Sequence, residues 1–255
     1  MPIYQVLIEN QIDICALAES DMLDFLSLFD RLKESEQEWR IVEVLPSSNT
    51  KVIAKKSVSI TVKKEEKHFS CYNIIDNSSS YLLSVVHLSS AMYLEESARN
   101  MRAINVSDVL RKIEEETFGK EEYKSIVIGD FNLQPYSQGI ASVHGFNATM
   151  SIHKAIKFSR IVDDKKRYFY FNPMWKLMGD NKNVQGTCYY DNDQQDLSMF
   201  WYSFDEVLIR PYFIDKFDWE FFAIVEKTEK YNFIKEYRIN KDLYSDHLPI
   251  KFEIK

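Results

Sequence analysis

The chain has 255 residues, 45% of them hydrophobic, with 17 Phe and 15 Tyr against only six Gly. That length allows one large α/β domain or two small ones, and the composition fills a bulky interior and argues against disorder. With 32 basic and 39 acidic residues the net charge is −7, which excludes a protein that coats nucleic acid by charge alone.

Three cysteines, Cys15, Cys71 and Cys188, are widely spaced and lack Cys-x-x-Cys pairing, so neither a disulfide frame nor a zinc site is expected. The sequence opens without a basic leader and contains no window of about eighteen apolar residues. The expectation is one domain over residues 1–255, cytoplasmic and with no membrane contact.

In chain order, residues 3–11 suit a helix that leads into a strand over 12–17, and Glu19 follows that strand. Taken alone, Glu19 reads as an acidic charge at the start of the next helix, beside Ser20 and Asp21. Phe25, Leu26, Phe29 and Leu32 share one face of a covering helix over 22–32. Alternating runs at 39–44, 51–54, 58–62, 69–75 and 81–87 predict an antiparallel meander, with its lysines on solvated edges and turns. His87 ends the last run. A long amphipathic helix over 93–118 is closed by Gly119, and Arg99 and Arg102 on it read as surface ion-pair partners.

Ser125, Ile126, Val127 and Ile128 then form an apolar, β-rich run that ends in Gly129-Asp130-Phe131-Asn132. On its own a glycine and an acid after a strand make a turn. At the carboxyl end of a buried strand, however, Asp130 and Asn132 would project an acid and an amide into a cleft. A second helix is expected over 140–157. The basic run Lys154, Lys157, Arg160, Lys165, Lys166 and Arg167 precedes the aromatic stretch 168–175, which could stack bases but reads more plainly as a core strand. Polar loops over 176–198 include an acidic tract that lacks the glycine and distal glutamate of a calcium loop. Residues 200–209 predict a buried strand with Asp205 in its middle, and a buried carboxylate needs a partner. Glu206 points to the opposite face. Residues 219–225 and 231–237 supply further strand material. Ser245-Asp246-His247 then precedes a closing alternation of Ile250, Phe252 and Ile254.

Glu19, His87, Asp130 with Asn132, Asp205, and Asp246 with His247 fall at strand ends in an order that resembles the endonuclease/exonuclease/phosphatase superfamily, from about Ile12 onward. The resemblance implies a four-layer α/β/β/α sandwich of two mixed sheets, deoxyribonuclease-like, with the site at one end between the sheets. It implies a Mg-dependent phosphodiesterase, with Mn as a possible substitute, acting on nucleic acid and most specifically as a DNA endonuclease. A phosphatase or hydrolase of RNA, nucleotide or phospholipid phosphoesters, and a non-catalytic binding module, are the competing readings.

The resemblance also implies roles. Glu19 would hold the metal with help from Asp246 or Asn132. His247, oriented by Asp205, would be general base or phosphate contact. Asp130 would orient the attacking water, Asn132 would bind phosphate, and His87 would be general acid or a phosphate contact. Members of the superfamily begin with a strand whose asparagine joins the metal site. This sequence begins at the following helix, and Asn10 sits elsewhere, so the missing strand is expected upstream, from a partner protein in trans, or not at all.

Overall fold

The computed structural model describes residues 1–255 apart from 22, 43–48, 77, 78, 91, 93, 120–122, 180–183 and 192–197. Helix α1 (Pro2–Glu9) and strand β1 (Ile14–Ala18) are followed by α2 (Phe25–Glu34), β2 (Trp39–Val42) and β3 (Thr50–Lys55). Asp24 starts α2 by accepting a hydrogen bond from the Ser27 N–H at 3.0 Å. β1 and β2 both pair antiparallel with β3. Leu7 of α1 and Leu28 and Leu32 of α2 close over Trp39 and Ile53 on the outer face of this three-stranded sheet.

The chain then builds a seven-stranded mixed sheet. β4 (Ser59–Glu66), β5 (Phe69–Asp76) and β6 (Ser79–His87) run antiparallel. Helix α3 (Glu96–Phe118) crosses over to β7 (Ser125–Asp130), which lies parallel to β6. The strands Asp205–Ile209, Tyr170–Phe171 and Ala148–Thr149 complete the sheet in that order. Its central strands are covered on both faces, which is why their sequences are nearly continuously apolar. Val85, Ile126, Val207 and Ile209 meet Val52 and Ala54 of β3 in the core between the sheets. Leu82, Val86, Val127 and Leu208 alternate with them and pack on Ala103, Val106 and Leu110 of α3. The layers are therefore α3, large sheet, small sheet, and α1 with α2, the expected four-layer sandwich.

One buried ion pair locks α3 to the large sheet. Arg210 Nε and Nη2 donate to the two Glu114 oxygens at 2.8 and 2.5 Å, while the Tyr170 ring lies 3.6 Å from the guanidinium. It sits just past Ile209, at the end of that strand opposite Asp205.

Four expectations change. The 39–87 meander is divided between two sheets, because the chain crosses from β3 to β4 where Arg40 holds the carbonyls of Val58 and Ile60 at 3.3 and 3.1 Å. The small sheet is antiparallel rather than mixed. The helix expected over 140–157 is two short helices, Gln138–Ala141 and Ile152–Ala155. Gly145 packs there so closely that an added Cβ would stand 1.9 Å from the Gly139 carbonyl oxygen, which a continuous helix does not permit. The strand over 200–209 breaks at Ser203 and Phe204, where Thr187 N–H bonds Tyr202 O and Phe131 N–H bonds Phe204 O. The acidic tract lies largely outside the described residues. Cys15, Cys71 and Cys188 are free thiols. Among the described residues no helix is long and apolar enough to cross a membrane.

Candidate active site

Three neighbouring strands of the large sheet carry polar groups in one row. His87 of β6 is in register with Asp130 of β7, and Asp130 with Asp205 on the next strand. Partners in register point to the same face, and like charges placed opposite each other repel. The two carboxylates therefore need a proton or a cation between them.

His247 supplies the first cation, its Nδ1 lying 2.7 Å from Asp205 Oδ2. Burial disfavours the charged ring, yet the hydrogen bond and charge of Asp205, together with Cys188, outweigh it and raise the imidazole pKa. Thr187 fixes both partners: its Oγ1 accepts from the Asp205 N–H at 3.1 Å, and its carbonyl accepts from the Leu248 N–H at 2.7 Å. Cys188 bridges His247 through the backbone, and Ser245 Oγ accepts the His247 N–H at 3.1 Å.

Asp130 is clamped from within its own loop. Asn132 donates its backbone N–H to Asp130 Oδ1 at 2.8 Å and its Nδ2 to Oδ2 at 2.7 Å and to the Leu88 carbonyl at 2.9 Å. Burial first, and then the charge of Asp205, push the Asp130 carboxyl up to about 8. Gly129 makes this geometry possible. At φ +126° it passes so close to β6 that a Cβ would sit 2.1 Å from the Val86 carbonyl oxygen.

From the small sheet, Glu19 follows the end of β1 and brings Oε1 to 3.4 Å from His87 Nε2, which is 3.8 Å from Asp130 Oδ2. Glu19 is 81% exposed, so the cluster opens to solvent on that side. Burial holds the His87 pKa down despite the nearby acids, leaving a neutral ring at pH 7. Glu19 and Asn132 both adopt φ near +50°, an uncommon conformation for a residue with a side chain and one that recurs at functional sites.

Neither a protein-family model nor a curated protein matches the sequence. Solved structures do match. Truncated TDP2 from Caenorhabditis elegans aligns over 97% of this chain and 86% of its own, with a TM-score of 0.56 at 18% identity. The endonuclease domain of TRAS1, a telomere-specific non-LTR retrotransposon, aligns over 100% and 92%, with a TM-score of 0.54 at 9% identity. An endonuclease/exonuclease/phosphatase family protein from Bacteroides thetaiotaomicron aligns over 98% and 86%, with a TM-score of 0.51 at 14% identity. The chain has the endonuclease/exonuclease/phosphatase fold.

At one end of this endonuclease/exonuclease/phosphatase sandwich the structure brings together Glu19, His87, Asp130, Asn132, Asp205 and His247. Among the described residues, the acidic and histidine side chains close enough to share one ion are Asp130, Asp205 and His247, with ligand atoms within 4.8 Å of one another. Asp246 is exposed and lies outside that group, as does Glu19. The Asn132 amide nitrogen is spent on Asp130 and Leu88 rather than left free for phosphate. Among the described residues Arg99 and Arg102 form no ion pair: Arg99 donates to the Asn132 carbonyl, and Arg102 donates to His68 Nε2. His68 Nδ1 in turn donates to the His87 carbonyl at 3.3 Å.

Sequence reasoning missed His68, Thr187 and Gln134, whose Oε1 accepts the Ser203 N–H at 3.2 Å. His68 stands in a turn of lysines and glutamates, and Thr187 in a short run between polar loops. Neither setting carries a signal.

Proposed function

We propose that the chain is a divalent-cation-dependent phosphodiesterase acting on nucleic acid, most specifically a DNA endonuclease. The observation that carries this reading is the pairing of Asp130 with Asp205 in register, with charged His247 on one side and neutral His87 on the other. With His247 balancing Asp205, the proton on Asp130 is the one a metal cation would replace, and such a cation draws an anionic substrate. The donors of the site are mainly carboxylate oxygens, which fit hard Mg, with Mn as substitute.

Asp130 would hold the ion, and exposed Glu19, which already reaches His87, would have to close on it, while Asp246 stands outside the cluster. When bound, such an ion would neutralise phosphate charge and lower the pKa of a coordinated water. Asp205 keeps the His247 ring in one orientation with its proton on Nδ1, so the opposite nitrogen is presented to an anionic oxygen. The charged ring suits contact with phosphate and proton donation to the leaving alkoxide, while neutral His87 suits proton acceptance. That division favours His247 over His87 as the acid. The TRAS1 neighbour is an endonuclease domain, which supports a nucleic-acid substrate.

The test is a panel: supercoiled plasmid, single-stranded DNA, RNA and a small aryl phosphodiester, each with Mg, Mn or EDTA. Plasmid nicking that disappears with EDTA, and in Asp205→Asn and His247→Ala, is expected. Hydrolysis of small phosphoesters alone moves the reading to a phosphatase. Inactivity on every substrate leaves a binding module.

A further inference from the structure

Trp201 and Tyr202 pair with Tyr189 and Cys188 in a two-stranded ribbon that ends shortly before Asp205. Side chains alternate along a strand, so Trp201 turns inward against Tyr189 and the core around Val184 and Ile224, while Phe200 and Tyr202 share the other face. Tyr190, whose N–H donates to the Phe200 carbonyl at 2.9 Å, stands across from Phe200. Phe200 and Tyr190 are 42% and 51% exposed. Rings left in water side by side form a surface to be covered.

The row continues into the candidate active site. The Tyr202 ring lies 5.0 Å from that of Phe204, tilted by 31°, and the Phe204 ring lies 6.5 Å from the His247 imidazole, tilted by 36°. A second loop joins from the side. Gln134 ties it to the ribbon by accepting the Ser203 N–H, and two residues further on Tyr136 donates its hydroxyl to Met199 Sδ at 3.6 Å and holds its ring 6.2 Å from that of Trp175. Burial first, and then Glu96 and Tyr202, raise the Tyr136 pKa, so this half-exposed ring is a neutral neighbour of Tyr202.

The chemistry of the row identifies what covers it. Stacking needs the open face of a base, which a duplex hides between adjacent pairs and an unpaired strand displays. Glu96 and Asp191 stand near the rings, so the attraction here is to bases rather than to phosphate charge. A protein partner seated on the row would also close off His247, whereas a substrate strand uses the rings and the histidine together. The aromatic stretch Phe169–Phe171 is buried in the core and offers no such face.

We propose that Tyr136, Phe200, Tyr202 and Phe204 form a shelf on which the unpaired bases of a single-stranded nucleic acid stack while its phosphate lies at His247. The inference rests on the phosphodiesterase reading and narrows its substrate to strands with open bases, a condition that a supercoiled plasmid meets where its duplex opens.

The test is fluorescence binding to an oligothymidylate of about 12 nucleotides carrying one central 2-aminopurine, and to a duplex of the same length, in EDTA and again with Ca in place of Mg. The parent is compared with Tyr202→Ala and Tyr136→Ala, each checked for an unchanged melting temperature. The control is Phe158→Ala, a half-exposed ring whose carbonyl bonds Phe169 at the Arg210 end of the sheet. The expected result is single-strand binding at least about tenfold tighter than duplex binding, with the 2-aminopurine quenched, and a loss of about five- to a hundredfold in each shelf variant, the worth of one stacked base. Phe158→Ala is expected to bind as the parent does.

Equal affinity for the two probes overturns the proposal. So does single-strand binding that both shelf variants leave within about twofold, or no binding in either buffer. A dimer that Tyr136→Ala dissociates, without single-strand binding, assigns the shelf to a second copy of this chain. Binding is read apart from hydrolysis: a protein that stacks unpaired bases and cleaves nothing keeps the shelf and loses the phosphodiesterase reading, and one that nicks duplex DNA with both shelf variants unaffected does the reverse.

Discussion

Asp130 and Asp205 face each other across two antiparallel strands, and His247 is hydrogen-bonded to only one of them, Asp205, at 2.7 Å. The asymmetry divides two identical side chains into different roles. Asp205 is the partner of a cationic ring. Asp130, buried and clamped by Asn132, holds a proton unless another cation arrives.

Replacing Asp205 with Asn keeps the shape and removes the charge. The His247 pKa falls towards or below that of a free imidazole, and activity drops about 10²- to 10⁴-fold. Ring-proton NMR across a pH series reads the first effect. An unchanged His247 titration would falsify the assignment of Asp205 as its orienting group.

Cation binding is coupled to the Asp130 proton. Because the Asp130 carboxyl is pushed up to about 8, a cation that binds it must displace a proton, and binding tightens as pH rises. The melting-temperature gain from excess Mg is expected to be larger at about pH 8 than at about pH 6 and to vanish in Asp130→Asn. A gain of equal size at both pH values counts against Asp130 as a ligand.

Gly129→Ala forces a methyl group into the Val86 carbonyl and a side chain into a left-handed conformation. Overpacking and strain together cost about 2 to 5 kcal/mol. Urea denaturation measures the loss, and stability within about 0.5 kcal/mol of the parent contradicts the close approach of β6 and β7.

Glu206 is 1% exposed, accepts one hydrogen bond from Asn172 Nδ2 at 2.6 Å, and is held well above the usual carboxylate range by burial. A raised folded-state pKa means that the native state binds more protons than the unfolded chain. Stability from this group is therefore complete below the unfolded pKa of about 4.3 and falls by about 1.4 kcal/mol per pH unit above it, until the folded pKa is passed. Glu206→Gln stays neutral throughout. The variant should match the parent near about pH 4 and exceed it near about pH 8. Parallel stability curves for the two proteins reject buried Glu206 as the cause.

Arg210→Ala strands the Glu114 carboxylate in the core and should cost about 3 to 5 kcal/mol, whereas Glu114→Leu combined with Arg210→Met recovers most of it. Equal losses in the single and double variants would mean that packing, not charge, holds that corner.

Individual buried strands were legible, because strands covered on both faces must be apolar and Asp130 and Asp205 interrupt or end such runs; their assembly into a four-layer sandwich came from the resemblance. That Asp205 needs a partner follows from a carboxylate set in an apolar run; that the partner is His247 came from the resemblance alone. Which sheet each strand joins was not legible: β3 and β4 have similar composition, and the Arg40 contacts that mark the crossing depend on the fold. The Asn132 clamp was equally hidden, since an amide free for phosphate and one bound to its neighbour are the same letter. The tie from Arg102 through His68 to His87 joins groups 34 and 19 residues apart, and no local pattern predicts it.

Glu19, His87, Asp130, Asp205 and His247 come from widely separated parts of the chain, and only a fragment that runs from Glu19 to His247 carries all five. Such non-local contacts close late in folding, after the loop entropy between them has been overcome. A nascent chain therefore lacks a complete site until synthesis has passed His247. A chain interrupted before His247 leaves Asp205 without its cationic partner.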